Sequence, residues 1–242
     1  MVSKSRFLKA ILLLAAAVSV ALGDVRVAAA ANVGFVLPKL IEAFNARHPE
    51  IKVTTTIGSS GKLYAQIAHG AGYDLYLSAN YDYPKRLFEE GRSYTRPVVY
   101  ALGRLVVVGK KPLDSLEDLT TLGRIAIANP KSAPYGAAAK EALIRAGLYE
   151  RLEPRLIYGE SIAQTVGYAR HGADAAIVAL SALKSGKLAG LKATEVDPKL
   201  YTPIRQGMVL VRPGAEAERF FAFLLSREAA AIFKEYGYGV PE

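Results

Sequence analysis

The sequence predicts an α/β protein of two lobes, each a mainly parallel sheet flanked by helices, with a ligand site in the cleft between them. Three observations lead there. Strand and helix signals alternate from Val25 to the end of the chain, the pattern of parallel strands covered by helices. Four times a short apolar run ends in small polar residues and a helical pattern begins at once. Two of these joins lie before residue 62 and two after residue 130, so each lobe would contribute a pair. Open parallel sheets bind ligands at the carboxyl ends of their strands, where such joins lie.

Residues 1–23 read as a secretory signal peptide. Lys4, Arg6 and Lys9 make a basic start, Ala10 to Leu22 is an apolar run, and Ala21-Leu22-Gly23 offers small residues for cleavage. The run is short against a bilayer span of about 20 apolar residues, which favours a cleaved leader over an anchor. Taking 23 residues from 242 leaves a mature chain of 219, Asp24 to Glu242.

Val25–Ala30 then reads as a buried strand, and Phe35–Arg47 as an amphipathic helix with Leu37, Leu40, Ile41 and Phe44 on its apolar face. Ile51–Ile57 is a β-branched strand, and Leu63–His69 a short helix with Leu63 and Ile67 inward. Asp74–Leu77 is a strand, with Asp74 tying its start to a neighbouring loop. Tyr83–Glu90 is a helix ended by Gly91. Arg104–Val108 is a valine-dense central strand and Ser115–Leu119 a short helix. The strands Arg124–Ala128 and Leu156–Tyr158 lead into helices Gly136–Ala146 and Ile162–His171, stopped by Gly147 and Gly172. Strands at Ala175–Val178 and Met208–Val211 precede two closing helices, Ala215–Leu225 and Glu228–Tyr236. The first lobe is expected to comprise residues 24–104 and 206–242, and the second residues 105–205. The chain would cross near Leu102–Val106 and return near Pro203–Met208.

Composition narrows the function. There is no cysteine, so an exported chain of this length must be stabilised by its cores alone. The usual lipid-attachment residue of bacterial surface lipoproteins is also missing. An exported, unanchored binding protein fits a periplasm. The formal charge is +9, of which the leader's Lys4, Arg6 and Lys9 supply three, leaving +6 for the mature chain. The basic residues are scattered and do not alternate with aromatics, so no nucleic-acid partner is expected. His48, His69 and His171 show no metal-ligand spacing, and Ser60 has no general base nearby in sequence; no cofactor and no enzymatic activity are expected.

The chemistry resides in the joins. They are Asn32-Val33-Gly34, Gly58-Ser59-Ser60-Gly61, Ala133-Pro134-Tyr135-Gly136 and Gly159-Glu160-Ser161-Ile162. Each would present free backbone N–H groups at the positive end of a helix, which suits an anion. Ser59 and Ser60 can cap their helix or donate a hydroxyl to a bound oxygen. The lysine after Gly61 is not followed by Ser or Thr, so this is no Walker loop. A hydrogen bond to a charged group contributes about 1.5–3 kcal/mol. Several of these exceed the roughly 8 kcal/mol of micromolar binding. A cage of neutral donors disfavours an oxyanion that brings its own O–H, so phosphate is penalised against a fully deprotonated tetrahedral dianion.

Taken together, these residues resemble the periplasmic molybdate-binding proteins of ABC transporters, over nearly the whole mature chain. The resemblance rests on Ala28-Ala29-Ala30-Ala31-Asn32, Gly58-Ser59-Ser60-Gly61, Ala65-Gln66-Ile67, Tyr73 through Ala79, Ala126 through Pro130, Ala133-Pro134-Tyr135-Gly136, and the closing Ala231 through Tyr238. It implies a type II periplasmic-binding-protein fold closing on molybdate or tungstate, delivered to a membrane permease and its ATPase, with a monomer as the expected state. Carried over by position, Asn32 and Ser60 donate side-chain and backbone hydrogen bonds from one lobe. Tyr135 and Ile162 donate backbone N–H groups from the other, and Ala31 and Ser59 line the site. The tyrosine hydroxyl that many members carry is replaced by Ala179, with Tyr135 expected to compensate. Sulfate, phosphate or a small organic anion are the alternative ligands, and a periplasmic enzyme on the same scaffold the alternative function.

Overall fold

The computed structural model describes residues 23–241; the expected leader, apart from Gly23, lies outside them. The chain forms two five-stranded sheets. The first contains β1 (Gly23–Ala30), β2 (Ile51–Gly58), β3 (Leu75–Leu77), β4 (Val98–Gly103) and β10 (Ile204–Leu210), in the order β2-β1-β3-β10-β4. The second contains β5 (Leu105–Gly109), β6 (Ile125–Ala128), β7 (Leu156–Gly159), β8 (Ala175–Ala179) and β9 (Lys192–Glu195), in the order β7-β6-β8-β5-β9. In each sheet one strand alone runs against the rest: β10 in the first and β5 in the second.

The sheets are covered by helices α1 (Leu37–Asn45), α2 (Ser60–Ala68), α3 (Asp82–Glu89), α4 (Pro134–Arg145), α5 (Tyr149–Leu152), α6 (Ile162–Arg170), α7 (Ser181–Lys184), α8 (Ala215–Leu224) and α9 (Arg227–Glu235). Alternation along β1 explains the layering. Val25, Val27 and Ala29 face a core shared with Leu37, Leu40 and Phe44 of α1 and with Phe220 and Phe233 of the C-terminal helices. Ala28 points the other way, into a cluster with Leu63 and Ile67 of α2 and Leu87 of α3. The first sheet is thus sandwiched by helices on both faces.

The two lobes repeat one device. Asp74 accepts the backbone N–H of Arg26 at 2.8 Å, and its own N–H donates to the Arg26 carbonyl at 2.8 Å. In the second lobe Asp174 accepts from Gly123 and Arg124, and its N–H donates to the Arg124 carbonyl at 2.8 Å. Each aspartate fixes the start of the central parallel pair, so the strand ends that carry the joins stay level.

The chain changes sheet at Arg104, between β4 and β5, and returns between β9 and β10. Ile204 and Arg205 pair with Gly103 and Leu102 in the first sheet. Several elements differ from the sequence expectation, among them the short helices α5 and α7, which it did not contain. β10 starts four residues before Met208, and the helix expected at Ser115–Leu119 is a 3-10 turn at Glu117–Thr121. β4 stands as a strand of its own, and β9, Lys-Ala-Thr-Glu, is a largely exposed edge strand with no apolar signature.

Candidate functional site

All four joins converge on one pocket. From the first lobe it is lined by Ala30, Ala31, Asn32, Ser59, Ser60 and Ala79, and from the second by Ala133, Pro134, Tyr135 and Ile162. Every site residue expected from sequence is therefore there. No lining residue carries a charge or an imidazole. Ala30, Ala79, Ala133 and Pro134 line the pocket in addition. Ala79 belongs to a fifth join, β3 into α3, whose Leu-Ser-Ala-Asn lettering reads as an ordinary turn.

Helices α2, α4 and α6 all begin at the pocket. The N–H groups of Ser60, Tyr135 and Ile162 lie in their first turns, where no carbonyl four residues back belongs to the helix. The N–H groups of Asn32 and Ser59 precede helical turns in the same way. Among the described residues none of these donors has an acceptor within the chain. The loops that carry them are matched across the lobes. The Ala31 N–H donates to the Gly58 carbonyl at 2.9 Å, and the Asn129 N–H to the Gly159 carbonyl at 2.7 Å.

The two serines divide their roles. Ser60 Oγ accepts the backbone N–H of Ala79 at 2.9 Å, which ties α2 to the β3–α3 turn. Ser59 is the N-cap of α2 by position, yet its side chain makes no capping bond. Its Oγ is buried and without a partner among the described residues, a costly arrangement unless a ligand completes it. Ser59 Oγ is thus the hydroxyl left without a protein partner, while Ser60 Oγ, which only accepts, keeps its O–H free to donate; the sequence could not tell the two apart because both letters are the same. By contrast Ser161 does cap α6, accepting from the Gln164 N–H at 3.4 Å.

Asn32 corrects the expectation of a donor side chain. Its amide nitrogen already donates to Gln206 Oε1 at 2.7 Å and to the Tyr238 hydroxyl at 3.1 Å. Both amide hydrogens are engaged, so what Asn32 brings to the pocket is its backbone N–H. Its carbonyl is held by the Tyr238 hydroxyl at 2.9 Å and by Ser181 Oγ, from α7 of the other lobe, at 3.3 Å. The Tyr135 hydroxyl is seated against Gly103 at the end of β4, where a Cβ would overlap it, and accepts from Gln206 Nε2 at 3.5 Å. Burial pushes the Tyr100, Tyr135 and Tyr238 phenols above their usual range, which keeps this network neutral. Ala179 ends β8, fully buried, and does not line the pocket.

The cleft is closed at its rim. The Gly61 N–H at the start of α2 donates to the Ser132 carbonyl of the other lobe at 2.9 Å, and Lys62 pairs with Glu160. The arrangement can hold a small anion by neutral N–H and O–H groups alone, out of water and at three convergent helix N-termini.

Comparison with known proteins agrees. Residues 25–239 match the bacterial extracellular solute-binding protein family. The molybdate-binding protein ModA of Rhodobacter capsulatus is 40% identical over 240 residues, covering 94% of this chain and 92% of that protein. ModA of Azotobacter vinelandii is 36% identical over 228 residues, covering 90% of each. The solved periplasmic molybdate-binding protein of Azotobacter vinelandii superposes with a TM-score of 0.83 at 31% identity, covering 90% of this chain and all of that one. The chain belongs to the bacterial extracellular solute-binding proteins and, within them, to the ModA-type molybdate-binding family.

Proposed function

We propose that this chain is the periplasmic receptor that captures molybdate, or the similar tungstate, and delivers it to an ABC-transporter permease driven by a cytoplasmic ATPase. The observation that carries the reading is the uncharged pocket in which Ser59 Oγ and the N–H groups of both lobes lack partners among the described residues. The 40% identity to a molybdate-binding protein over almost the full length supports the ligand. The basic and apolar pattern of residues 1–23 supports export, and no helix among the described residues is long and apolar enough to cross a membrane. The receptor works as a monomer, without a resident cofactor and without catalysis.

Binding follows from the geometry. With the lobes apart, Asn32, Ser59 and Ser60 offer donors from one wall. Closure brings up Tyr135 and Ile162 from the other and removes water, which strengthens each bond to the dianion. The closed receptor then differs in shape from the open one, and that difference is what a permease can read.

A thermal-shift and calorimetry panel of molybdate, tungstate, sulfate and phosphate tests the reading. Molybdate and tungstate should stabilise the protein at micromolar concentration while phosphate does not. Absence of any shift with molybdate and tungstate refutes it.

A further inference from the structure

Gln206 lies on β10, where the chain has just returned from the second lobe, at a break in register between Gln206 and Gly207. It is fully buried. A buried amide must place both its oxygen and its nitrogen on partners, and the partners here are informative. Its Oε1 accepts from Asn32 Nδ2 at 2.7 Å and lies 3.3 Å from the Tyr100 hydroxyl. Its Nε2 donates to the Tyr135 hydroxyl at 3.5 Å. Asn32 stands on the first-lobe wall of the anion pocket and Tyr135 on the second-lobe wall, and both contribute a backbone N–H to it.

We propose that Gln206 is a positioning residue that sets the spacing of the two walls and thereby the size of anion the pocket accepts. The proposal rests on the oxyanion-receptor reading. Gln206 touches one donor residue on each lobe while lying outside the lining of the pocket. Its neighbours reinforce the spacing. Tyr238 and Ser181 clamp the Asn32 carbonyl, and Gly103 gives the Tyr135 hydroxyl its seat. All of these groups are neutral, so the brace adds no charge that would repel a dianion. Donors on rigid walls reject an anion too small to reach both sides, because the unmatched donors remain buried without acceptors. Free to move, the same walls can close further onto the smaller sulfate.

The test compares wild type with Gln206→Met, which keeps length and volume but removes its hydrogen bonds to Asn32, Tyr100 and Tyr135. Molybdate and sulfate affinities are measured by calorimetry and competition, and the melting temperature without anion is recorded. The expected result is a loss of roughly tenfold or more in molybdate affinity with a smaller loss for sulfate, so that the preference between them narrows. Equal losses for both anions would show a merely structural role and overturn the proposal, as would unchanged affinities. Tyr135→Phe, which removes only the hydroxyl at the far end of the brace, should narrow the preference in the same direction; a full retention of preference there also overturns it. If wild type itself fails to bind molybdate, the receptor reading falls, an outcome separable from failure of the brace alone.

Discussion

The backbone N–H of Gly61 and the carbonyl of Ser132 meet across the cleft at 2.9 Å, joining the first turn of α2 to the loop before α4. A Cβ on residue 61 would lie 3.1 Å from that carbonyl, 3.2 Å from Ser132 Cα and 2.7 Å from the Tyr83 hydroxyl. The lobes therefore approach this closely because residue 61 is glycine.

Gly61→Ala should hold the lobes slightly apart. Overpacking of this kind costs about 1–3 kcal/mol. The crowding against Ser132 falls on the closed state, so molybdate affinity should drop. The Tyr83 hydroxyl, on α3 of the same lobe, must give way in open and closed forms alike, but as the free end of a side chain it moves cheaply, so the melting temperature without ligand should fall only slightly. Calorimetry with scattering in the presence and absence of molybdate reads both. The adjacent Lys62–Glu160 pair is more than half exposed on both sides. Such pairs contribute about 0–1 kcal/mol, so Lys62→Ala should weaken binding less than Gly61→Ala, and its effect should fade in high salt.

The two serines should separate by phenotype. Ser59→Ala removes a hydroxyl that has no partner among the described residues, so it should cost molybdate binding about 1.5–3 kcal/mol while leaving the ligand-free protein as stable as before, or more so. Ser60→Ala instead strands the Ala79 N–H, so it should lower ligand-free stability by about 1–3 kcal/mol. Melting curves and titrations on the two variants decide. Equal effects on both readouts would mean that the hydroxyls are interchangeable.

Much of this was legible in the letters. The joins stood out because an apolar run followed at once by Gly, Ser, Asn or Pro marks a strand-to-helix turn whatever surrounds it. Their convergence followed from the rule that parallel strands end on one side of a sheet. The fifth join at Ala79 was missed because alanine has no chemistry to advertise; it acts through its backbone. Gln206 and Tyr238 were missed for a different reason. They lie 174 and 206 residues from Asn32, and only the fold shows that they, and not the anion, receive its amide hydrogens. Edge strand β9 has no bulky apolar residue to mark it, having one neighbour and little to bury.

The paired aspartates give a stability prediction. Asp174 accepts from both Gly123 and Arg124, at 3.0 and 2.8 Å. Asp174→Ala strands two backbone donors at the start of β6, whereas Asp174→Asn retains an acceptor. The alanine variant should lose about 1–3 kcal/mol in urea unfolding, and asparagine less. Because this site lies at the opposite end of β6 from the pocket, molybdate affinity of the folded variant should stay near wild type.

The pocket has no charged lining residue, and the phenols behind it are held neutral because burial raises their pKa. For an acid whose pKa is higher in the folded protein, the neutral form belongs to the fold. That contribution is complete below the unfolded-state value near 10 and is lost as pH rises towards the folded value. Tyr76, buried beneath α2 with its hydroxyl donating to the Ser60 carbonyl at 2.7 Å, titrates in the same direction. Molybdate affinity should therefore stay flat from about pH 7 to 9, where neither these phenols nor the dianion changes charge. Thermal stability should begin to fall only as pH passes about 10, where the unfolded tyrosines ionise. Tyr100→Phe should shallow that alkaline decline, because it removes one of the phenols. Melting curves between pH 7 and 11, with molybdate titrations over the lower half, test both halves of the prediction. A binding transition between pH 7 and 9 would place an ionising group in contact with the anion and contradict the neutral-donor pocket.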